Sequence, residues 1–366
     1  MGGRWVMRIA FAAPTALAAV LAEIGGVRSR KTPNDELLDR VSSISWSEGG
    51  VDWIGELFPP LTAGIAVLIG WTGPLGLAMV GAAIGGLLLQ QMSQIMVQRR
   101  FRIALRIPLL AAVGLNPLFP YNATENLGAF LGIAFFGVGI ANAARFLLWG
   151  HTRGGFTAGI LFMLAVLSDR AAILYVLSAL IAAPFLSESR RFGARARWAN
   201  VVVLAYPSAA AIGSVVALHT IFLGSPVPPQ VERAIIGAGG VPASVGISGT
   251  TEGYLLIATV ILAWAASLVL RRPSGILVSS LIFVAVEVGL VIGLIPPNSV
   301  GNTYLLLVLM MIALVPTAKT RTTGVLLGVL GIVLNAVAWI TAFANPISRD
   351  WLMAIVEGAS QLVGGG

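Results

Sequence analysis

The stretch Thr32–Trp71, TPNDELLDRVSSISWSEGGVDWIGELFPPLTAGIAVLIGW, decides how the rest of the chain is read. It holds Asp35, Glu36, Asp39, Glu48, Asp52 and Glu56, six of the fifteen acidic residues in a chain of 366. It ends in an apolar run, Phe58–Trp71, whose 14 residues would cover only roughly 21 Å as a helix. Gly70 to Pro74 then break that run. Counted as a span, it would reverse every later loop. Read as a juxtamembrane helix on or in one leaflet, it leaves every later basic loop on a single side, and that reading is adopted here.

Around this stretch the chain is apolar. The hydrophobic fraction is 57%, charged residues make up 10%, and mean hydropathy is +0.91. Soluble domains carry about 25% charged residues, so the composition is that of an integral membrane protein. Many runs approach the ~20 residues that cross a ~30 Å hydrocarbon core as helix. They do not alternate as barrel strands do. The expected class is an all-α integral membrane protein with about eleven transmembrane helices and two juxtamembrane helices in the first outer loop.

The expected spans are Met7–Gly26, then about 75–97, 103–118, 126–148, 155–169, 171–187, 199–223, 254–270, 275–295, 303–318 and 323–344. Residues 155–187 are read as two short helices turning at Ser168–Asp169–Arg170, with one long tilted helix as the alternative. In domain terms, 1–198 forms an N-terminal transmembrane module that includes the acidic outer loop 27–74. Residues 199–366 form a C-terminal set with an outer loop 224–253 and a short, peripheral outer tail. The N-terminal apolar segment is read as a retained first span.

The net charge of +8 does not imply nucleic acid. The basic residues are distributed among short loops, as the positive-inside rule requires: Arg99, Arg100, Arg102, Arg145, Arg153, Arg190, Arg191, Arg195, Arg197, Arg271, Arg272, Lys319 and Arg321. Of the acidic residues in the loops, all but Glu188 fall on the opposite side, expected to be extracytoplasmic. There are no cysteines, and His151 and His219 are far apart, so thiolate chemistry and a Cys/His metal site are excluded.

Asn34–Asp35–Glu36 heads a helix whose apolar face is Leu37, Leu38, Val41 and Ile44. Capping alone accounts for acidic residues in a first turn. The functional alternative makes Asp35 a general base toward an acceptor hydroxyl, with Glu36 positioning substrate or holding a metal. Glu125 is expected at an outer helix start, as a cap or as a second acidic position. Arg170 offers a planar donor fork to a phosphate or pairs with Asp169. Arg28, Arg30 and Lys31 suit a lipid phosphate at headgroup depth, or ordinary contact with anionic headgroups. Glu287 lies within a span, where an ionisable residue raises the question of proton coupling.

In order and spacing these features resemble the GT-C glycosyltransferases, membrane enzymes that use polyprenyl-phosphate sugars. The resemblance rests on Asp35–Glu36, Gly49–Gly50, Pro59–Pro60–Leu61, Arg99–Arg100–Phe101–Arg102, Leu115–Asn116–Pro117 with Thr124–Glu125, and Leu167–Ser168–Asp169–Arg170. It covers about residues 1–190. The last motif departs from the family pattern: its basic residue is shifted by one and its proline is missing.

The resemblance implies sugar transfer, with inversion, from a polyprenyl-phosphate donor to a glycan, lipid or protein acceptor of the cell envelope. Asp35 would act as base with Glu36 beside it. Glu125, Arg170, Arg28, Arg30 and Lys31 would contact substrate, and Pro59 and Pro60 would head the helix that borders the polyprenyl groove. A divalent cation (Mg, Mn or Ca) held by Asp35 or Glu125 would offset charge on the leaving phosphate. The rivals from the residues alone are a transporter or lipid-linked-sugar flippase and a non-catalytic subunit of an envelope-synthesis complex.

Overall fold

The computed structural model describes residues 2–26, 31–44, 51, 53–98, 100–186, 193–269, 273–296, 299, 302 and 320–364. Arg28, Arg30, Gly49–Gly50, Arg99 and the expected span 303–318 lie outside the described residues. Within them the chain is helical, with no strand.

In chain order the helices are α1 (Gly2–Gly25), α2 (Pro33–Ser42), α3 (Trp53–Glu56), α4 (Pro60–Ile69), α5 (Gly73–Gln98), α6 (Ile103–Gly114), α7 (Leu118–Glu125) and α8 (Leu127–Trp149). They continue as α9 (Thr152–Ser168), α10 (Ala172–Leu186), α11 (Gly193–Leu223), α12 (Pro229–Ile236), α13 (Gly240–Ser248), α14 (Thr251–Val269), α15 (Pro273–Val291), α16 (Arg321–Ala344) and α17 (Pro346–Gly364). Among the described residues, six of the apolar helical segments are long enough to cross a membrane, or seven if α6 and α7, bent by 46° at their break, count as one. The protein is membrane-embedded and α-helical. The expected turn at 168–170 is present, since α9 and α10 are separate helices rather than one.

Most of α8 is buried, and the bundle is organised around it. It packs on α9, which packs on α11, while α10 packs on α15 and α6 on α16. The aromatic centre is Phe136, with its ring 5.5 Å from that of Phe162 and 6.0 Å from that of Tyr175. Burial against lipid brings little hydrophobic gain, so close contact of small residues carries much of the helix association. At Gly81 of α5 a Cβ would lie 1.7 Å from the Ala123 carbonyl oxygen of α7. The tail expected to be peripheral is instead the helix α17, packed along α1. Gly25 meets the Ala354 backbone and Gly358 meets that of Leu21, each at a separation no side chain would fit.

The sequence order alternates the helix ends. Leu127 at the start of α8, Ser168 at the end of α9 and α2 gather at one end of the bundle. The end of α5, the α8–α9 turn and the first turns of α1 gather at the other. We call these the cavity end and the basic end.

Candidate functional site

The cavity end is built from short helices held by side-chain hydrogen bonds to backbone. Thr32 caps α2: its hydroxyl accepts from the Asp35 N–H at 3.3 Å, and Asp35 Oδ2 accepts from the Thr32 N–H at 2.9 Å, a reciprocal capping box. Pro33 occupies the first turn, where a missing N–H costs nothing. Asn34 is 1% exposed, and its amide bridges two other helices. Asn34 Nδ2 donates to the Thr124 carbonyl at 2.7 Å, and Asn34 Oδ1 accepts from the Leu127 N–H at 2.9 Å. The register of α2 against the α7–α8 junction is thereby fixed. The first turn of α4 is tied in the same way, with Thr62 Oγ donating to the Ser168 carbonyl at 2.7 Å.

The turn between α9 and α10 presents Arg170. Its Nε donates to the Leu294 carbonyl at 3.1 Å and its Nη1 to the Gln230 carbonyl at 3.4 Å. Two of its nitrogens thus join the turn to α12 and to the segment after α15. Helix α12 also holds α3. Gln230 Nε2 donates to Glu56 Oε2 at 3.0 Å, and Arg233 approaches Glu56 Oε1 at 3.6 Å.

These segments border an open cavity of about 650 Å³ lined by Glu36, Arg40, Glu56, Arg170, Gln230 and Arg233, with apolar residues from α12, α13 and α15 along its wall. Three guanidiniums face two carboxylates. Burial presses the Arg40 guanidinium below its ordinary range; Glu56 opposes this, while Arg233 and Arg170 add to it. Arg40 Nε is a buried donor with no partner among the described residues. Such a donor costs about 1–3 kcal/mol unless something accepts from it, and an anion in the cavity would do so.

The expected site residues divide clearly. Glu36 and Arg170 meet in this cavity. Asp35 does not line it; at least one of its oxygens is engaged at the α2 N-terminus. Glu125 closes α7 instead of starting a helix, and it is 2% exposed beside the Asn34 bridge. Lys31 points to an exposed ion pair, its Nζ 2.6 Å from Asp39 Oδ2. Pro59 and Pro60 head α4 as expected, outside the cavity lining. Asp169 accepts from the backbone N–H groups of Arg170 and Ala171, and burial pushes its carboxyl up in spite of Arg170. Glu287 accepts from Ser244 Oγ at 2.6 Å, a neutral partner from α13.

For a divalent cation the donor set fits poorly. Among the described residues no group of three or more metal-ligating side chains converges, and the two cavity carboxylates are faced by three cationic groups.

Sequence reasoning passed over Arg40, Glu56 and Arg233 as site residues. Arg40 was accessible to it, because Glu36 and Arg40 stand four apart on one helix face. Arg233 lay in the loop 224–253, where no local signal marks it. Comparison with protein-family models, with curated proteins and with solved structures finds no match for the chain.

Proposed function

We propose that the protein is a membrane glycosyltransferase of GT-C type with about eleven spans. In this reading the cavity end faces the extracytoplasmic side of the cell membrane and binds the phosphate of a polyprenyl-phosphate sugar. The observation that carries the reading is the convergence of Arg40, Arg170 and Arg233 on one cavity, with a buried Arg40 donor unpaired among the described residues. Arginine forks suit phosphate oxygens in both charge and geometry.

The reaction is a single displacement. The acceptor hydroxyl oxygen bonds to the anomeric carbon while the bond from that carbon to the lipid phosphate oxygen breaks. The bonding pair leaves with the phosphate, and the configuration inverts. The guanidiniums offset the charge that develops on the departing phosphate. Glu36, which lines the cavity, takes the hydroxyl proton. Asp35 fixes the turn that presents it, which moves the base one residue from where the family resemblance puts it. The acceptor is a glycan, lipid or protein of the cell envelope.

The test uses purified protein reconstituted with envelope lipid extract, with release of free polyprenyl phosphate followed by mass spectrometry. Wild type is expected to release it. Glu36→Gln is expected to lose about 10²–10⁴-fold, the range of general-base contributions, with donor binding retained. Donor binding without release in any acceptor mixture would point to a non-catalytic lipid-phosphate binder. Release that survives Glu36→Gln and fails in Asp35→Asn would return the base to Asp35.

A further inference from the structure

The basic end carries a second cavity, of about 670 Å³, between α5, α8 and α9. Its wall is apolar, with Leu87, Phe135 and Leu161 among its residues, and Arg145, His151 and Arg153 lie at its other extremity. Leu87 is 38% exposed, so the wall opens onto the lipid-facing surface of the bundle. Leu161 stands about 12 Å along α9 from Arg153, and Phe135 about 15 Å along α8 from Arg145. Those depths match one leaflet of a ~30 Å hydrocarbon core. The apolar wall therefore lies at acyl-chain depth and the cations at headgroup depth.

The charge of the site is one-sided. No Asp or Glu lines it among the described residues. Arg145 is partly engaged, donating from Nη2 to Gln98 Oε1, and Arg153 is exposed.

We propose that this cavity binds one anionic glycerophospholipid, with an acyl chain along the α5–α8–α9 wall and the headgroup phosphate between Arg145 and Arg153. A protein helix in the groove would satisfy the wall but leave two guanidiniums without counter-charge. A lipid phosphate satisfies both, because the wall and the cations are stacked along the membrane normal as the two parts of a lipid are.

The experiment is native mass spectrometry of the full chain in detergent, titrated separately with phosphatidylglycerol and with phosphatidylcholine of the same acyl composition. Phosphatidylglycerol is expected to bind roughly thirtyfold more tightly, from two interfacial cations. The double variant Arg145→Gln/Arg153→Gln is expected to lose that discrimination. Thr157→Trp, which fills the groove from a lining position and leaves both arginines in place, is expected to weaken both lipids. Equal binding of the two lipids by wild type overturns the proposal. So does phosphatidylglycerol binding that is unchanged in Thr157→Trp, the variant that decides if the double variant fails to fold.

Discussion

The two ends of the bundle use the same side chain in opposite ways. At the cavity end Arg170 is wired to two backbone carbonyls from distant segments, and Arg233 faces a carboxylate from α3. At the basic end Arg145 meets one glutamine, and Arg153 stands exposed at the mouth of an apolar groove. An arginine held by fixed acceptors is pre-oriented, so little entropy is lost when a ligand arrives. An arginine on a groove rim acts mainly as interfacial charge. The difference lies in what surrounds the guanidinium, and it separates a constructed polar site from a lipid-facing one.

The largest effect should come from dismantling the constructed site. The double variant Arg40→Ala/Arg170→Ala removes two of the guanidiniums that line the cavity. It is expected to lose about 4 kcal/mol of lipid-phosphate binding, roughly a thousandfold, measured as the dissociation constant for polyprenyl phosphate, the carrier part of the proposed donor, in nanodiscs. A loss of less than about tenfold would mean that the cavity end is no more specialised than the other.

Next is the scaffold of that end. Asn34→Ala leaves the Leu127 N–H and the Thr124 carbonyl without the partner that Asn34 supplies. Unpaired buried groups of this kind cost about 1–3 kcal/mol each, so a stability loss of about 3 kcal/mol is expected in thermal or denaturant melts in detergent. Asn34→Asp keeps the acceptor and loses the donor, and should fall between. An Asn34→Ala protein as stable as wild type would show that the α2 register is set elsewhere.

The division between what the sequence revealed and what it concealed follows the range of the interactions. Helix content and most helix limits were legible, because apolar runs and Gly breaks act locally, as with α8 ending at Gly150 in the left-handed region. Glu36 and Arg170 are singled out only through the ordered motifs, and both line the cavity, whereas Arg233 requires knowing that α12 meets α3. Asn34 read as a local cap. Its actual partners lie 90 and 93 residues away, a separation over which no periodicity carries information. The tail reads as peripheral because nothing local in it marks the Gly25–Gly358 seam. That seam depends on two glycines far apart in the chain meeting backbone to backbone.

A smaller effect tests the electrostatics of the α9–α10 turn. The Asp169 carboxyl is raised by burial, so the folded state holds the proton more tightly than the unfolded chain. For a raised carboxyl the sign is that stability falls as pH climbs from the ordinary carboxylate range through the raised value, then stays level. Asp169→Asn keeps an acceptor oxygen for the Arg170 and Ala171 N–H groups and removes the charge. It is expected to melt higher than wild type at neutral pH, with the difference closing as the pH falls toward the ordinary carboxylate range. A variant less stable at every pH would mean that the anion is needed beside Arg170.

The smallest effect is expected at Lys31, which sharpens the comparison from within the cavity end itself. Lys31 and Asp39 are both well exposed, at 72% and 61% of the side chain, and Asp39 raises the lysine above its ordinary value by hydrogen bond and charge. The associated stability is present below the ordinary lysine range and is lost as pH rises through the raised value. Exposed pairs are screened by salt and contribute little. Lys31→Ala should therefore change neither the melting temperature nor donor affinity measurably at physiological ionic strength. Lys31 precedes the cap of α2 and Arg40 lies in its last turn, one committed to a solvent pair and the other lining the cavity. A fall in donor affinity of more than about threefold in Lys31→Ala would show that charge near the cavity suffices without a fixed geometry, and the contrast between wired and rim cations would fail at its nearest control.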